Sequence, residues 1–306
     1  MTRLTDGAAG LSRRGLEGER ETGHDSFRML VDLVTNGQVL VLSGAGLSTE
    51  SGIPDYRGPT GLARRAAKRE RQEPMTYQTF VGSAGARRRY WARSYLGWRQ
   101  VTGARPNPGH HAVAELERRG LLTGIITQNV DGLHQAAGTR HVVELHGSLA
   151  RVLCLDCGQR TSRLALDRRL REANAGWAEQ AARRQAQTRI NPDGDAVLSD
   201  SQVTGFRLVD CAGCGGVLKP DVVFFGENVP RPRVEECFAL VERAGSLVVL
   251  GSSLTVMSGY RFVRQAARLG VPVAIVNLGP TRGDQHAAAL IDAPLGLTLT
   301  ELVSRC

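Results

Sequence analysis

Short apolar runs alternate along the chain with longer stretches whose apolar residues have helical spacing. Residues 26–36 place Phe27, Leu30 and Val34 on one side of a predicted helix. Buried strands are predicted at the apolar runs 39–42, 121–127, 142–145, 222–225, 247–250 and 273–276. Strands that alternate with helices favour a parallel sheet covered on both faces. The expected fold class is therefore α/β, with a Rossmann-like parallel sheet.

A glycine-rich turn follows the first predicted strand. Gly44 and Gly46 stand between this strand and a predicted helix start. Glycines let the backbone approach a pyrophosphate, and a helix N-terminus offers N–H groups to the anion. Thr49 occupies the place of the third glycine of the dinucleotide fingerprint, and the ribose-binding acid expected about 20 residues later is missing. A hydride-transfer dehydrogenase is therefore disfavoured, while a tight turn without a ligand remains the alternative.

The loop after this turn, residues 50–58, is polar and carries Asp55 and Arg57 two residues apart. Such a loop is suited to covering a bound nucleotide. The alternative is an ordinary surface loop held by a salt bridge.

Polar residues also follow the next two predicted strands. Gln128, Asn129 and Asp131 come after residues 121–127, and His146 comes after residues 142–145. Ligands bind at the carboxyl edge of open α/β sheets, so these side chains are expected in one cleft with the glycine turn. A histidine there suits a general base, because its ordinary pKa lies near neutrality. A lone histidine is more often structural, and His110, His111, His134 and His141 are interpreted as structural or surface residues.

Four of the six cysteines form two Cys-x-x-Cys pairs. The pairs are Cys154 with Cys157 and Cys211 with Cys214, and a glycine follows each pair. Residues 1–24 are polar and carry acids, which disfavours a secretion signal or a mitochondrial transit peptide. Outside an oxidising compartment, such pairs predict a metal site. Four thiolates fill a tetrahedral zinc site, so the zinc is expected to stabilise the fold. A redox Cys-x-x-Cys pair is the alternative.

These features predict a division into domains. The Rossmann-like nucleotide-binding domain is expected to contain residues 26–60, 107–150 and 217–306. A smaller helical and zinc-binding domain is expected from residues 61–106 and 151–216, and residues 1–25 form a variable tail.

The composition adds information about partners. The 306 residues carry a net charge of +9, and almost all of the positive charge is arginine because Lys68 and Lys219 are the only lysines. This bias is typical of a GC-rich bacterial genome, or of a surface that attracts acidic partners. We find no nucleic-acid motif and no apolar run of about 18 residues that would span a membrane. A cytoplasmic location is expected.

Taken together, these motifs resemble those of the sirtuins, the NAD-dependent protein lysine deacylases. The resemblance extends from about residue 30 to about residue 295. It is carried by 44–48 (GAGLS), 52–57 (GIPDYR), 127–134 (TQNVDGLH), 144–147 (ELHG), the two cysteine pairs, 219–227 (KPDVVFFGE), 251–254 (GSSL) and 276–277 (VN).

The resemblance implies roles for particular residues. His146, Asn129 and Asp131 would be catalytic, with His146 as base toward a ribose hydroxyl, and one structural zinc would be bound by Cys154, Cys157, Cys211 and Cys214. An acylated protein would bind along Val223, Phe224, Phe225, Gly226 and Glu227 as an added strand. The products would be nicotinamide, an O-acyl-ADP-ribose and free lysine. The expected NAD contacts are Gly44, Ala45, Gly46, Thr49, Asp55, Tyr56, Arg57, Gln128, Asn129, Val130, Asp131, Gly251, Ser252, Ser253, Asn277, Leu278, Gly279 and Leu295.

The acyl group is less constrained by the sequence. Residues 89–93 (RYWAR), 192–195 (PDGD) and 279–282 (GPTR) resemble the class II branch of the family. Tyr90 and Arg93 share a helix face if their segment is helical, and we hypothesise that they select a carboxylated or bulky acyl chain. Helix packing by Tyr90 with a surface Arg93 is the alternative.

Two other functions use the same motifs. A protein ADP-ribosyltransferase would bind NAD in the same pocket and depend less on His146. A regulator that senses NAD would bind it and release almost no nicotinamide.

Overall fold

A computed structural model describes residues 10–55, 74–177, 179–180, 198 and 200–306. Its strands are β1 (Val39–Ser43), β2 (Leu122–Thr127), β3 (Val142–Glu144), β4 (Gly147–Cys154), β5 (Arg160–Ser162), β6 (Leu218–Val222), β7 (Ser246–Leu250), β8 (Val273–Asn277) and β9 (Ala287–Asp292). Its α-helices are α1 (Gly10–Thr35), α2 (Tyr77–Gly82), α3 (Ala84–Gly103), α4 (Pro108–Arg118), α5 (Leu133–Ala136), α6 (Arg163–Ala173), α7 (Asp200–Val203), α8 (Arg231–Arg243), α9 (Met257–Leu269) and α10 (Leu295–Arg305). Two 3₁₀ helices span Ala45–Ser51 and Asp284–His286.

The larger sheet has six parallel strands in the order β3-β2-β1-β7-β8-β9. All five residues of β1 are buried, as expected for a strand covered on both faces. Ser43 at the end of β1 lies opposite Thr127 of β2 and Leu250 of β7. The polar segments that follow these three strands therefore leave the sheet at the same edge.

Helices cover both faces of this sheet. On one face, Leu30 of α1, Val113 of α4 and Leu299 of α10 are buried in a single apolar cluster. On the other face, Val241 of α8 and Phe262 of α9 are buried in a second cluster. These observations confirm the predicted α/β class and the Rossmann-like sheet.

The smaller sheet has three antiparallel strands in the order β5-β4-β6. Its core is aromatic and includes Tyr90 and Trp91 of α3 with Phe224, which follows β6. The Tyr90 ring meets those of Trp91 and Phe224 edge to face, with centroids 5.2 Å apart in both pairs. A separate core is therefore built around the cysteine-bearing strands.

The structure moves several predicted boundaries. Helix α1 begins at Gly10, earlier than residue 26, and residues 10–25 are rich in the helix formers Arg, Glu and Leu. Residues 223–225 lie outside the regular strands, because β6 ends at Val222. Both β4 and β6 pair within the smaller sheet, so the small unit extends beyond the predicted limits at residues 151 and 216. Strands β4, β5 and β9 were not predicted. No helix among the described residues is long and apolar enough to cross a membrane.

Candidate active site

A cavity of about 860 Å³ lies at the carboxyl edge of the larger sheet. It brings together most of the predicted site residues. Those that line it are Gly44, Ala45, Gly46, Asp55, Tyr90, Gln128, Asn129, Val130, Asp131, His146, Val223, Phe224, Phe225, Gly226, Glu227, Gly251, Ser252, Ser253, Asn277, Leu278 and Gly279.

The glycine turn packs directly against the turn that follows β7. A Cβ atom on Gly44 would lie 2.7 Å from the Ser252 Cβ and 2.8 Å from the Gly251 carbonyl oxygen. A Cβ atom on Gly46 would lie 2.9 Å from the Gly251 Cα, and its N–H donates to the Gly251 carbonyl at 2.8 Å. The two turns approach this closely only without side chains at these positions. The result is a backbone-lined cradle at one end of the cavity.

A chain of hydrogen bonds fixes the polar residues after β2. The Asn129 Nδ2 group donates to the Gly44 carbonyl at 3.0 Å and to Ser48 Oγ at 3.1 Å. Ser48 Oγ in turn donates to Asp131 Oδ2 at 2.7 Å. Burial raises the pKa of Asp131, against the lowering effect of hydrogen bonds from the Leu133 N–H and Ser48. Asn129 and Asp131 are therefore pre-positioned against the glycine turn.

His146 is held from both sides of its ring. Its Nδ1 lies 2.9 Å from the carbonyl oxygen of Gln128, and its Nε2 lies 2.8 Å from Ser258 Oγ. A carbonyl oxygen only accepts, so Nδ1 carries the proton and Nε2 presents the lone pair. Burial lowers the pKa of His146; the Gln128 carbonyl opposes this shift, and the nearby Arg233 and Arg261 reinforce it. The ring is thus a neutral imidazole with its basic nitrogen toward the cavity.

A buried lysine, Lys219, holds the segment after β6 in place. Lys219 Nζ lies 3.0 Å from Glu227 Oε2, donates to the Val222 carbonyl and sits 4.7 Å from the centroid of the Phe224 ring. Glu227 Oε2 also accepts from the Phe224 N–H at 2.8 Å. The Val223 N–H donates to the His146 carbonyl at 2.8 Å. These contacts fix the wall of the cavity beside His146.

The four predicted metal ligands come together at the end of the smaller sheet. The sulfur atoms of Cys154, Cys157, Cys211 and Cys214 all lie within 4.8 Å of one another. Cys154 Sγ is 3.5 Å from Cys214 Sγ, and Cys157 Sγ is 3.9 Å from Cys211 Sγ. Tetrahedral zinc with Zn–S bonds of about 2.3 Å requires S···S edges of roughly 3.8 Å. The cluster fits one structural zinc.

Comparison with known proteins decides the family. The model of the Sir2 family matches residues 44–258, a range that contains the glycine turn, the polar residues after β2, His146 and both cysteine pairs. The chain belongs to the Sir2 family.

Curated and solved relatives agree with the Sir2 assignment. A protein of Streptomyces coelicolor named NAD-dependent protein deacetylase 1 is 62% identical over 92% of this chain and 91% of its own length. A protein of the same name from Mycobacterium avium is 49% identical over 86% and 89%. A solved Sir2 structure with a p53 peptide and NAD⁺ is 29% identical, with a TM-score of 0.69 over 90% of this chain and 95% of that one.

Some predicted residues of this Sir2 chain lie away from the cavity lining. The Thr49 hydroxyl donates back to the Gly46 carbonyl at 2.8 Å, and Leu295 is buried in the core at the start of α10. Arg93 donates to the Leu198 carbonyl at 3.3 Å and does not line the cavity, whereas Tyr90 does. Tyr56 and Arg57 lie outside the described residues. The NAD contacts and the acyl-selecting pair stay predictions, as does the class II assignment.

Other cavity residues were missed by the sequence reasoning. Ser48 belongs to a motif of the glycine turn, but its bond to Asp131 depends on the fold. Asp292 is the last residue of β9 and lines the cavity. Recognising β9 in the sequence would have indicated Asp292 as a polar residue at a strand end. Ser258 lies on the first turn of α9 and Arg261 follows that turn, and no sequence motif indicated that they lie near His146.

Proposed function

We propose that this chain is an NAD-dependent protein lysine deacylase whose preferred acyl group is acetyl. The observation that carries the proposal is the neutral His146, whose Nε2 faces a cavity shared by the glycine cradle and the segment after β6. One cavity thus offers room for a dinucleotide, a base and a protein substrate. Curated relatives named NAD-dependent protein deacetylase support the same activity.

The site residues divide into three groups by position. Gly44 and Gly46 form the cradle suited to the pyrophosphate, and Asn129 and Asp131 are fixed where they would hold the nicotinamide and its ribose. Bound NAD would supply the ribose carbon that receives the acyl oxygen, with nicotinamide as leaving group. His146 would accept a ribose hydroxyl proton at Nε2.

The substrate would enter along Val223–Glu227. This segment lines the cavity beside His146, and its neighbour Thr76 already forms a parallel bridge with Phe225. A peptide added as a further strand would gain main-chain hydrogen bonds here, and its acyl-lysine would point toward His146. The zinc would take no part in the chemistry, because four cysteines leave no open coordination position.

The acyl preference follows from the lining around Tyr90. Tyr90 is 2% exposed and its ring contacts that of Phe224, and Val101 and Leu149 are further apolar residues of the lining. Arg93 lies outside the lining, and Arg261, an arginine that does line the cavity, lies near His146. An apolar wall at Tyr90 accommodates a small neutral acyl group, whereas burying a carboxylate against it is costly.

The test is nicotinamide release from NAD with a panel of acetyl, propionyl, succinyl, glutaryl and lipoyl lysine peptides. Fastest release with the acetyl peptide, abolished in His146→Ala and retained in the surface control His141→Ala, supports the proposal. Faster release with succinyl or glutaryl peptides, and a loss of that preference in Arg93→Ala, would support the Tyr90–Arg93 hypothesis instead. A gain of ADP-ribose mass on the protein substrate would indicate a transferase.

A further inference from the structure

The first turn of α9 is docked onto the residues that hold the catalytic base. Ser258, the second residue of α9, places its Oγ 2.8 Å from His146 Nε2. Its neighbour Gly259 is buried, and a Cβ atom there would lie 2.5 Å from Gln128 Oε1 and 2.8 Å from Gln128 Cδ. The missing side chain at Gly259 therefore lets the helix approach closely enough for Ser258 to reach the ring.

The direction of the Ser258 bond follows from the other side of the ring. Because Nδ1 donates to the Gln128 carbonyl, a neutral His146 has only a lone pair at Nε2. The Ser258 hydroxyl is therefore the donor and Nε2 the acceptor. A protonated Nε2 would itself be a donor, and the Ser258 hydroxyl would then turn and accept from it, because a serine hydroxyl can do both.

We infer that Ser258 is a positioning residue for His146: its hydroxyl holds the neutral ring with the Nε2 lone pair toward the cavity until the ribose hydroxyl takes that place. The inference rests on the proposed function. It adds to the site a residue, Ser258, whose hydroxyl occupies the Nε2 lone pair that must later accept the proton of the ribose hydroxyl. Ser258 thus pre-aligns the base and keeps the buried nitrogen satisfied while the co-substrate is absent.

Two arginines near the His146 ring favour its neutral form. Arg233 of α8 and Arg261 of α9 both disfavour protonation of His146. Asp131, on the segment after β2, is already engaged by Ser48 and the Leu133 N–H. A bond from the protonated ring to the Ser258 hydroxyl would be charge-assisted and therefore stronger than the bond to the neutral ring, so removing this hydroxyl is expected to lower the pKa of His146 further.

The experiment compares native enzyme with Ser258→Ala and Ser258→Thr, measuring kcat/KM for NAD against pH at saturating acetyl-lysine peptide. At saturating peptide this parameter reports the ionisation of the peptide-bound enzyme before NAD binds. Because neutral His146 is the active form, activity falls below its pKa. In Ser258→Ala the ring loses its alignment, so kcat/KM at neutral pH should fall about tenfold, and the acidic limb should move to lower pH by roughly half a pH unit. Ser258→Thr keeps the hydroxyl and should restore the native profile.

The matched control is Ser304→Ala. Ser304 lies on α10, and its hydroxyl bonds the Glu301 carbonyl of the same helix at 2.7 Å, so the native pH profile is expected. A second variant, Gly259→Ala, keeps Ser258 but forces α9 and Gln128 apart. It should shift the acidic limb in the same direction as Ser258→Ala.

A measurement without NAD separates this inference from the proposed function. NMR titration of the imidazole signals, with His146→Ala to assign the ring, gives the pKa of His146 in the free protein. A lowered pKa in Ser258→Ala supports the positioning role even if the native enzyme releases no nicotinamide, which would refute the deacylase alone. An unchanged ring pKa together with an unchanged acidic limb would overturn the inference.

Discussion

The buried ion pair beneath the substrate segment makes a quantitative prediction. Lys219 has a side chain only 3% exposed, and its partner Glu227 is 23% exposed. Burial lowers the pKa of Lys219 despite the attraction of Glu227, so desolvation exceeds the gain from the pair. Lys219→Met leaves Glu227 with a largely buried, unpaired carboxylate and removes the donor to the Val222 carbonyl.

Breaking a buried pair from one side costs about 3–5 kcal/mol. Glu227 keeps some contact with water, so we expect a value near the lower end, about 3 kcal/mol, which corresponds to roughly a hundredfold change in an equilibrium constant. The loss of stability should affect the segment after β6 most, because the Phe224 N–H donates to the same Glu227 oxygen that Lys219 contacts.

Hydrogen exchange read by mass spectrometry measures this effect directly. Peptic fragments that contain the amides of Val223 and Phe224 should exchange roughly a hundred times faster in Lys219→Met if local opening limits exchange. The KM for the acetyl-lysine peptide should rise in parallel. The control Arg231→Met removes a surface pair with Glu235 and should leave exchange in this segment unchanged.

The double variant Lys219→Met with Glu227→Gln sharpens the test. It removes the unpaired charge of Glu227, so the amides of this segment should lose less protection from hydrogen exchange than in Lys219→Met alone. Exchange within about fivefold of native in Lys219→Met would refute the view that this pair anchors the segment.

Three further predictions concern the metal cluster, the buried histidines and the glycine cradle. Cys214→Ser should lose the one zinc per chain measured by atomic emission and lower the melting temperature, whereas Cys306→Ser should retain both. Burial lowers the pKa of His110 to about 3 and of His134 to about 4, so the unfolded chain binds more protons below its own histidine pKa. Stability should therefore fall as the pH falls from about 6.5 toward 4, and the urea midpoint of His134→Gln should depend less steeply on pH over that range. Gly44→Ala should weaken NAD binding at least tenfold by calorimetry, because its Cβ would lie 2.8 Å from the Gly251 carbonyl oxygen; native affinity would contradict the close-packed cradle.

The parallel sheet was predictable because β1, β7 and β8 are apolar along most of their length and end at polar or glycine residues. All five residues of β1 are buried, so its composition alone indicates a covered strand. Strand β9 lacks this signal, since its residues alternate between exposed and buried at the edge of the sheet. The run at residues 222–225 is apolar for a different reason: Phe224 packs into the core of the small sheet, and Val223 lines the cavity.

The site was predictable where a residue follows a strand in sequence, as His146 and Asn129 do. It was not predictable where the contact depends on how helices dock. Ser258 meets His146 across 112 residues of sequence, and only the close packing of Gly259 on Gln128 brings them together. Likewise, helical spacing placed Tyr90 and Arg93 on one face of a helix, but spacing alone does not show which of the two side chains lines the cavity.

Strand β4 begins at Gly147, directly after His146, and ends at the metal ligand Cys154. The cysteine pairs also fix the two ends of the intervening chain, in which β5 pairs with β4 and Trp177 and Phe206 pack into the core that contains Tyr90. A change of length between these packed parts therefore need not displace the histidine. An insertion within β4 would alter the distance between the four cysteines and His146. Length variation among relatives is expected to collect between Cys157 and Cys211 and to be absent from residues 147–154.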